Sequence, residues 1–168
     1  MRRMAAVLSA AAIVMSAIGV YAQAKPDFSG KWTLVPPADG GGGGGGGGGR
    51  GGRGGGGGGW GMNPTVTQTG TALTITYTMG GRGDAAPTEQ KVVYNIGGAP
   101  TKRQMAARGE TVEVTDTAAW VGNSLVITTK TPTVEQKRTL SLKDGNLVIE
   151  YNSGREGAPA QTITYKKG

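Results

Sequence analysis

The sequence predicts an all-β protein: an antiparallel up-and-down barrel of eight to ten short strands, interrupted by one glycine-rich loop. Three observations carry this. Apolar residues alternate with polar ones, many of them threonine, in segment after segment. Glycine-containing turn sequences separate those segments at short intervals, and no segment sustains a helical period. An up-and-down sheet avoids open edges best by curling shut, which favours a barrel over a sandwich, with a strongly bent open sheet as the alternative.

The chain is expected to begin with an export signal. Arg2 and Arg3 precede an apolar run from Met4 to Val20, and Ala22 and Ala24 supply the small-x-small pattern of a signal peptidase site. Cleavage after Ala24, with Ala22 as the alternative, makes residues 1–24 a signal peptide and residues 25–168 a single domain. An uncleaved anchor is the competing reading, since the run is near the lower length limit of about 17 residues for a spanning helix. It is diluted by Ala, Ser and Gly and lacks a stop-transfer cluster, so no transmembrane segment is expected after cleavage. The protein is expected in the bacterial periplasm or secreted.

The first strand is read in Asp27-Phe28-Ser29-Gly30-Lys31-Trp32-Thr33-Leu34-Val35. Gly40 to Gly61 follows, holding 19 of the 33 glycines, with Arg50, Arg53 and Trp60 as its only side chains. Such a tract gains little from any one conformation and is expected to be disordered. Lengthening a 4-residue turn to 22 residues costs only about 1.5 kcal/mol of closure entropy, so the tract fits as a loop inside one domain.

Beyond it, Leu73, Ile75, Tyr77 and Met79 share one face against Thr74, Thr76 and Thr78. Val92, Tyr94 and Ile96 form the next face, and the stretch around Lys102 to Arg108 shows little pattern. Val112, Val114, Ala118 and Trp120 then alternate with Thr111, Glu113, Thr115 and Thr117. Asp116 falls on their apolar face, which requires either a bulge or a buried acid. Gly122-Asn123 turns into Leu125, Ile127 and Thr129. Val134, Arg138, Leu140 and Leu142 follow on one face, Lys143-Asp144-Gly145-Asn146 supplies hairpin chemistry, and Leu147, Ile149 and Tyr151 run back. Gly154 to Pro159 turns the chain once more, and Ile163 with Tyr165 closes it.

Composition excludes much. With neither Cys nor His, the chain forms no disulfide, no Ser-His-Asp or Cys-His nucleophile system and none of the common zinc sites. Neither metal nor cofactor is expected. Outside the signal and the tract, on the order of 120 residues remain, enough to stand on one buried core. Removing Arg2 and Arg3 lowers the net charge from +7 to +5, which suits solubility and weak contact with an anionic envelope surface. Arg50-Gly51-Gly52 and Arg53-Gly54-Gly55 are RGG units of the kind that bind nucleic acid. Two cations are few, and exported proteins rarely meet RNA, so nucleic acid is not the expected partner.

Phe28-Ser29-Gly30-Lys31-Trp32 resembles the Gly-x-Trp opening of lipocalins and other calycin barrels. The Asp-Phe-Ser-Gly-x-Trp start, with Trp120 to Ile127 as a Trp-x-Gly-x-x-Leu-x-Ile segment, resembles small exported bacterial proteins of lipocalin-like type. The resemblance implies that Trp32 plugs one barrel end and that a late-strand arginine, here Arg138, packs across its ring. It departs from secreted lipocalins in having no disulfide and no evident helix after the barrel.

A barrel of about eight strands is either filled by its own side chains or holds one small ligand. The inward set of Trp32, Tyr77, Met79, Tyr94, Trp120, Arg138, Tyr151 and Tyr165 provides aromatic walls with polar tips, suited to an apolar or amphipathic molecule. A non-catalytic carrier and a filled interaction or structural barrel both stand at this point. A carboxylate-pair hydrolase ranks below them. Asp116 is the one acid expected to face inward, Glu150 lies on the opposite phase, and pairing of Asp116 with Arg138 or Lys137 is the simpler expectation.

Overall fold

The structure is a computed structural model that describes residues 24–36, 58–79, 86–107 and 110–168. The expected signal peptide up to residue 23, and the expected disorder of the tract up to residue 57, lie outside the described residues.

Ten antiparallel strands form the wall: β1 (Gly30–Leu34), β2 (Thr65–Gln68), β3 (Ala72–Met79), β4 (Thr88–Asn95), β5 (Thr101–Ala107), β6 (Glu110–Val121), β7 (Ser124–Lys130), β8 (Glu135–Lys143), β9 (Asn146–Asn152) and β10 (Gln161–Lys167). No helix occurs among the described residues. Their order is β4-β3-β2-β1-β10-β9-β8-β7-β6-β5, so each strand neighbours the next in sequence except at the seam between β4 and β5. The first and last strands pair through Trp32 with Lys167 and Leu34 with Tyr165. At the seam, Ile96 bridges Ala118 of β6, and the Gly97 N–H donates to the Ala118 carbonyl at 2.7 Å. The result is a nearly closed barrel.

The period-two pattern explains the register. Leu73, Ile75, Leu125, Ile127, Leu140, Leu147 and Ile149 are fully buried while the intervening threonines, lysines and glutamates face outward. Each such side chain contributes roughly 1.5–3 kcal/mol of burial. At Asp144-Gly145 both loop residues take left-handed φ, 52° and 76°, the requirement of a two-residue hairpin whose twist matches its strands.

Two expectations change here. The unpatterned stretch from Lys102 is strand β5, with Thr101, Arg103 and Met105 on its inward phase. Its signal is hidden in the sequence because Arg103 takes an apolar position and is neutralised by Asp116 from the neighbouring strand. Asp116 itself is a buried acid in uninterrupted register, with no bulge, paired with Arg103 rather than with Arg138 or Lys137.

The barrel has two unlike ends. Residues 24–29, the β2–β3, β6–β7 and β8–β9 turns and the C-terminus gather at one. The ends of β1 and β3, residues 58–64 and the β7–β8 and β9–β10 connections gather at the other.

Candidate functional site

The first end is sealed by aromatic packing. The Trp32 indole is buried and its Nε1–H donates to the Phe28 carbonyl at 2.9 Å. The Phe28 ring stacks on Trp120 with centroids 5.8 Å apart. Gln68 clamps the segment from both sides, accepting from Phe28 N–H at 3.0 Å and donating to the Pro26 carbonyl at 2.9 Å. Lys25 lies over the Trp120 ring at 5.7 Å and donates to the Gly122 carbonyl. Trp32 is thus the plug that the Gly-x-Trp opening implied, but the cation over it is Lys167 of β10, at 5.8 Å, rather than Arg138. Strand register explains the correction: Trp32 pairs directly with Lys167, whereas Arg138 pairs with Tyr151 further along the barrel.

The opposite end holds an element that is not part of the wall. Residues 58–61, the last four of the glycine tract, form a strap whose Trp60 is only 3% exposed and belongs to the continuous barrel core. The expectation of disorder across the whole tract therefore fails for these four residues, because one indole brings enough apolar surface to be worth burying. The Trp60 N–H donates to the Tyr165 hydroxyl at 2.9 Å, which in turn donates to the Gly61 carbonyl at 3.2 Å. Arg138 Nε donates to the Gly58 carbonyl at 2.8 Å. The Arg138 guanidinium also lies over the Tyr151 ring at 5.0 Å. Gly58 passes so close to that ring that a methyl group there would overlap it, and Gly58 and Gly61 have φ of 74° and 72°. Only glycine fits such a passage without strain.

No protein-family model matches the sequence, and no curated protein matches it. Solved structures do. The wild-type fluorescent protein UnaG superposes with a TM-score of 0.51 at 16% identity, over 84% of this chain and 97% of that one. A point mutant of UnaG gives 0.51 at 17% identity, over 84% and 96%. Human cRBP IV gives 0.50 at 14% identity, over 85% and 99%. This chain has their fold.

Around the strap the barrel collects several polar groups. Arg103 Nε reaches Asp116 at 2.5 Å, and Thr129 Oγ1 donates to the other carboxylate oxygen at 2.6 Å. Burial disfavours the Arg103 charge, but the hydrogen bond and charge of Asp116 more than offset it and hold the guanidinium protonated. Burial pushes the Tyr94 hydroxyl above its usual range, Arg138 pulls it back, Asp116 adds to the rise, and Arg103 and a hydrogen bond with the Trp60 side chain oppose it. Tyr165 is raised by burial against the Trp60 backbone and the Arg138 charge. Among the described residues, two guanidiniums thus lie inside the barrel with one buried carboxylate. Among the described residues Arg138 has no carboxylate within ion-pair distance, and its polar partner is the strap carbonyl.

Of the residues selected from sequence, Tyr94, Arg138, Tyr151 and Tyr165 gather around the strap and Tyr77 flanks it at the rim. Trp32 and Trp120 close the other end instead. Met79 is 50% exposed, because β3 runs past the end of β2 and its last residues pair with β4 alone. Sequence reasoning misses Trp60 and Arg103. Trp60 carries a legible signal, being the one bulky apolar side chain in the tract.

Proposed function

We propose that this chain is an exported, non-catalytic barrel of lipocalin-like type that holds a small apolar or amphipathic molecule. One observation carries the reading: the ten-stranded wall encloses a guest that is not wall. A four-residue strap with a buried indole sits among Tyr94, Tyr165 and Arg138. A few polar groups that fix orientation within an apolar lining are the usual make-up of a small-molecule site. The shared fold with UnaG and cRBP IV supports a barrel of this size. Asp116, the one buried acid among the described residues, is engaged by Arg103 and Thr129, and Glu150 faces outward, which supports a non-catalytic interior.

A second reading draws on the same strap. If it never leaves, the barrel is permanently filled and acts as a structural or interaction protein of the envelope. A thermal-shift panel of fatty acids, planar aromatics and tetrapyrroles on the full chain separates the two, since a ligand that binds only the folded form raises Tm with concentration. A saturable rise supports the carrier. A flat response across the panel, from both the full chain and its Trp60→Gly variant, supports the filled barrel.

Export rests on Arg2, Arg3, the Met4 to Val20 run and Ala22-Gln23-Ala24. N-terminal sequencing of protein from the cell envelope is expected to begin at Lys25, or at Gln23 for the alternative site. A chain beginning at Met1 contradicts cleavage.

A further inference from the structure

We propose that Trp60 and its flanking glycines are a tethered occupant of the barrel's own binding site, which a free indole-sized planar aromatic carrying an acceptor oxygen displaces. This deepens the carrier reading above and rests on it.

Three features of the strap make it a stand-in for a ligand rather than a piece of wall. First, residues 58–61 form no strand pairing among the described residues; apart from packing, they are held by the side chains of Tyr165, Arg138 and Tyr94, each from the wall's inner face. Those are contacts that a detached molecule can reproduce, unlike a ladder of backbone hydrogen bonds. Second, the strap presents a planar aromatic ring, a donor N–H to the Tyr165 hydroxyl and a carbonyl acceptor to Arg138. Its chemistry therefore states the chemistry of the ligand. Third, Arg138 is a half-buried cation met by a neutral carbonyl and an aromatic face, with no carboxylate within ion-pair distance among the described residues. A ligand oxygen that carries negative charge improves on the Gly58 carbonyl, because hydrogen bonds between charged groups are roughly twice as strong as neutral ones. The strap is thus a weaker partner for Arg138 than an anionic ligand, which is the condition for exchange.

Displacement also fixes a thermodynamic relationship. A site occupied by its own chain shows a ligand affinity lowered by the fraction of molecules in which the strap is out. Deleting the indole removes that competition. The probe is 1-anilinonaphthalene-8-sulfonate, an anionic aromatic, titrated by fluorescence into the full chain and its Trp60→Gly variant. N-acetyl-tryptophanamide, which reproduces the strap, is then used as a competitor. The expected result is at least tenfold tighter probe binding by Trp60→Gly, with N-acetyl-tryptophanamide displacing the probe from the variant. Equal probe affinity in both chains overturns the displacement proposal and leaves the carrier reading intact. Absence of saturable binding in both overturns the two together.

A measurement on the unsubstituted chain guards against a variant that does not fold. The Trp60 indole N–H, assigned by its loss in Trp60→Phe, is followed by two-dimensional NMR and solvent exchange at saturating probe. Loss of its exchange protection is expected. Full protection at saturation means that the probe binds elsewhere, and the proposal fails.

Discussion

The Tyr165 hydroxyl accepts the Trp60 N–H at 2.9 Å and donates to the Gly61 carbonyl at 3.2 Å, so one side chain of β10 secures the strap on both sides of its tryptophan. Replacing Tyr165 by Phe keeps the ring but leaves a buried N–H without its acceptor. The expected cost is about 1–3 kcal/mol, read as a lower urea midpoint with an unchanged slope. An unchanged midpoint means that the strap is not held by this hydroxyl.

Alkaline stability follows from the same group and from Tyr94. Burial raises both hydroxyls above the ordinary tyrosine value. A raised folded value means that the native state keeps its protons when the unfolded chain, titrating near 10, has begun to lose them. Their contribution is therefore complete below pH 10 and is lost as the pH rises beyond it. Stability measured from pH 8 to 11.5 should fall more steeply in the parent than in a Tyr94→Phe, Tyr165→Phe double variant. Parallel curves contradict the assignment.

Asp116 and Arg103 form an ion pair whose acid end is wholly buried and whose basic end keeps 27% of its side-chain surface. Removing the acid alone, by Asp116→Ala, strands a largely desolvated guanidinium. The loss should lie toward the low end of the roughly 3–5 kcal/mol seen on breaking buried pairs, because solvent reaches Arg103. Replacing both, by Asp116→Leu with Arg103→Met, should recover most of it. Failure of the double replacement to recover places the cost in packing rather than charge.

Gly58 threads past the Tyr151 ring at φ 74° with no room for a Cβ. Gly58→Ala should destabilise by about 1–3 kcal/mol, combining a left-handed non-glycine residue with overpacking. Gly70→Ala, where a Cβ meets nothing within 4 Å, is the matched control. Equal melting temperatures for the two variants contradict the close passage.

Much of the wall is legible in the sequence because strand side chains report burial every second residue, and the runs at Leu73, Leu125 and Leu147 alternate without interruption. β5 is not, because Arg103 on its inward phase reads as polar until Asp116 on the adjacent strand is known to face it. The site is half legible. Tyr94, Tyr151 and Tyr165 follow from alternation alone, while the depth along each strand does not. Depth is set by stagger between strands, and it is what sends Met79 to the rim and Arg138 to Tyr151 rather than to Trp32. Trp60 is obscured by its glycines, since composition describes a segment and burial is decided by a single side chain.

The most direct test of a ligand-holding barrel is native mass spectrometry of the full chain, purified gently from the cells that make it. The expected spectrum shows a discrete additional mass bound one to one, released by organic solvent and replaceable by 1-anilinonaphthalene-8-sulfonate. A bare polypeptide mass that takes up no probe, in the parent and in Trp60→Gly alike, contradicts it.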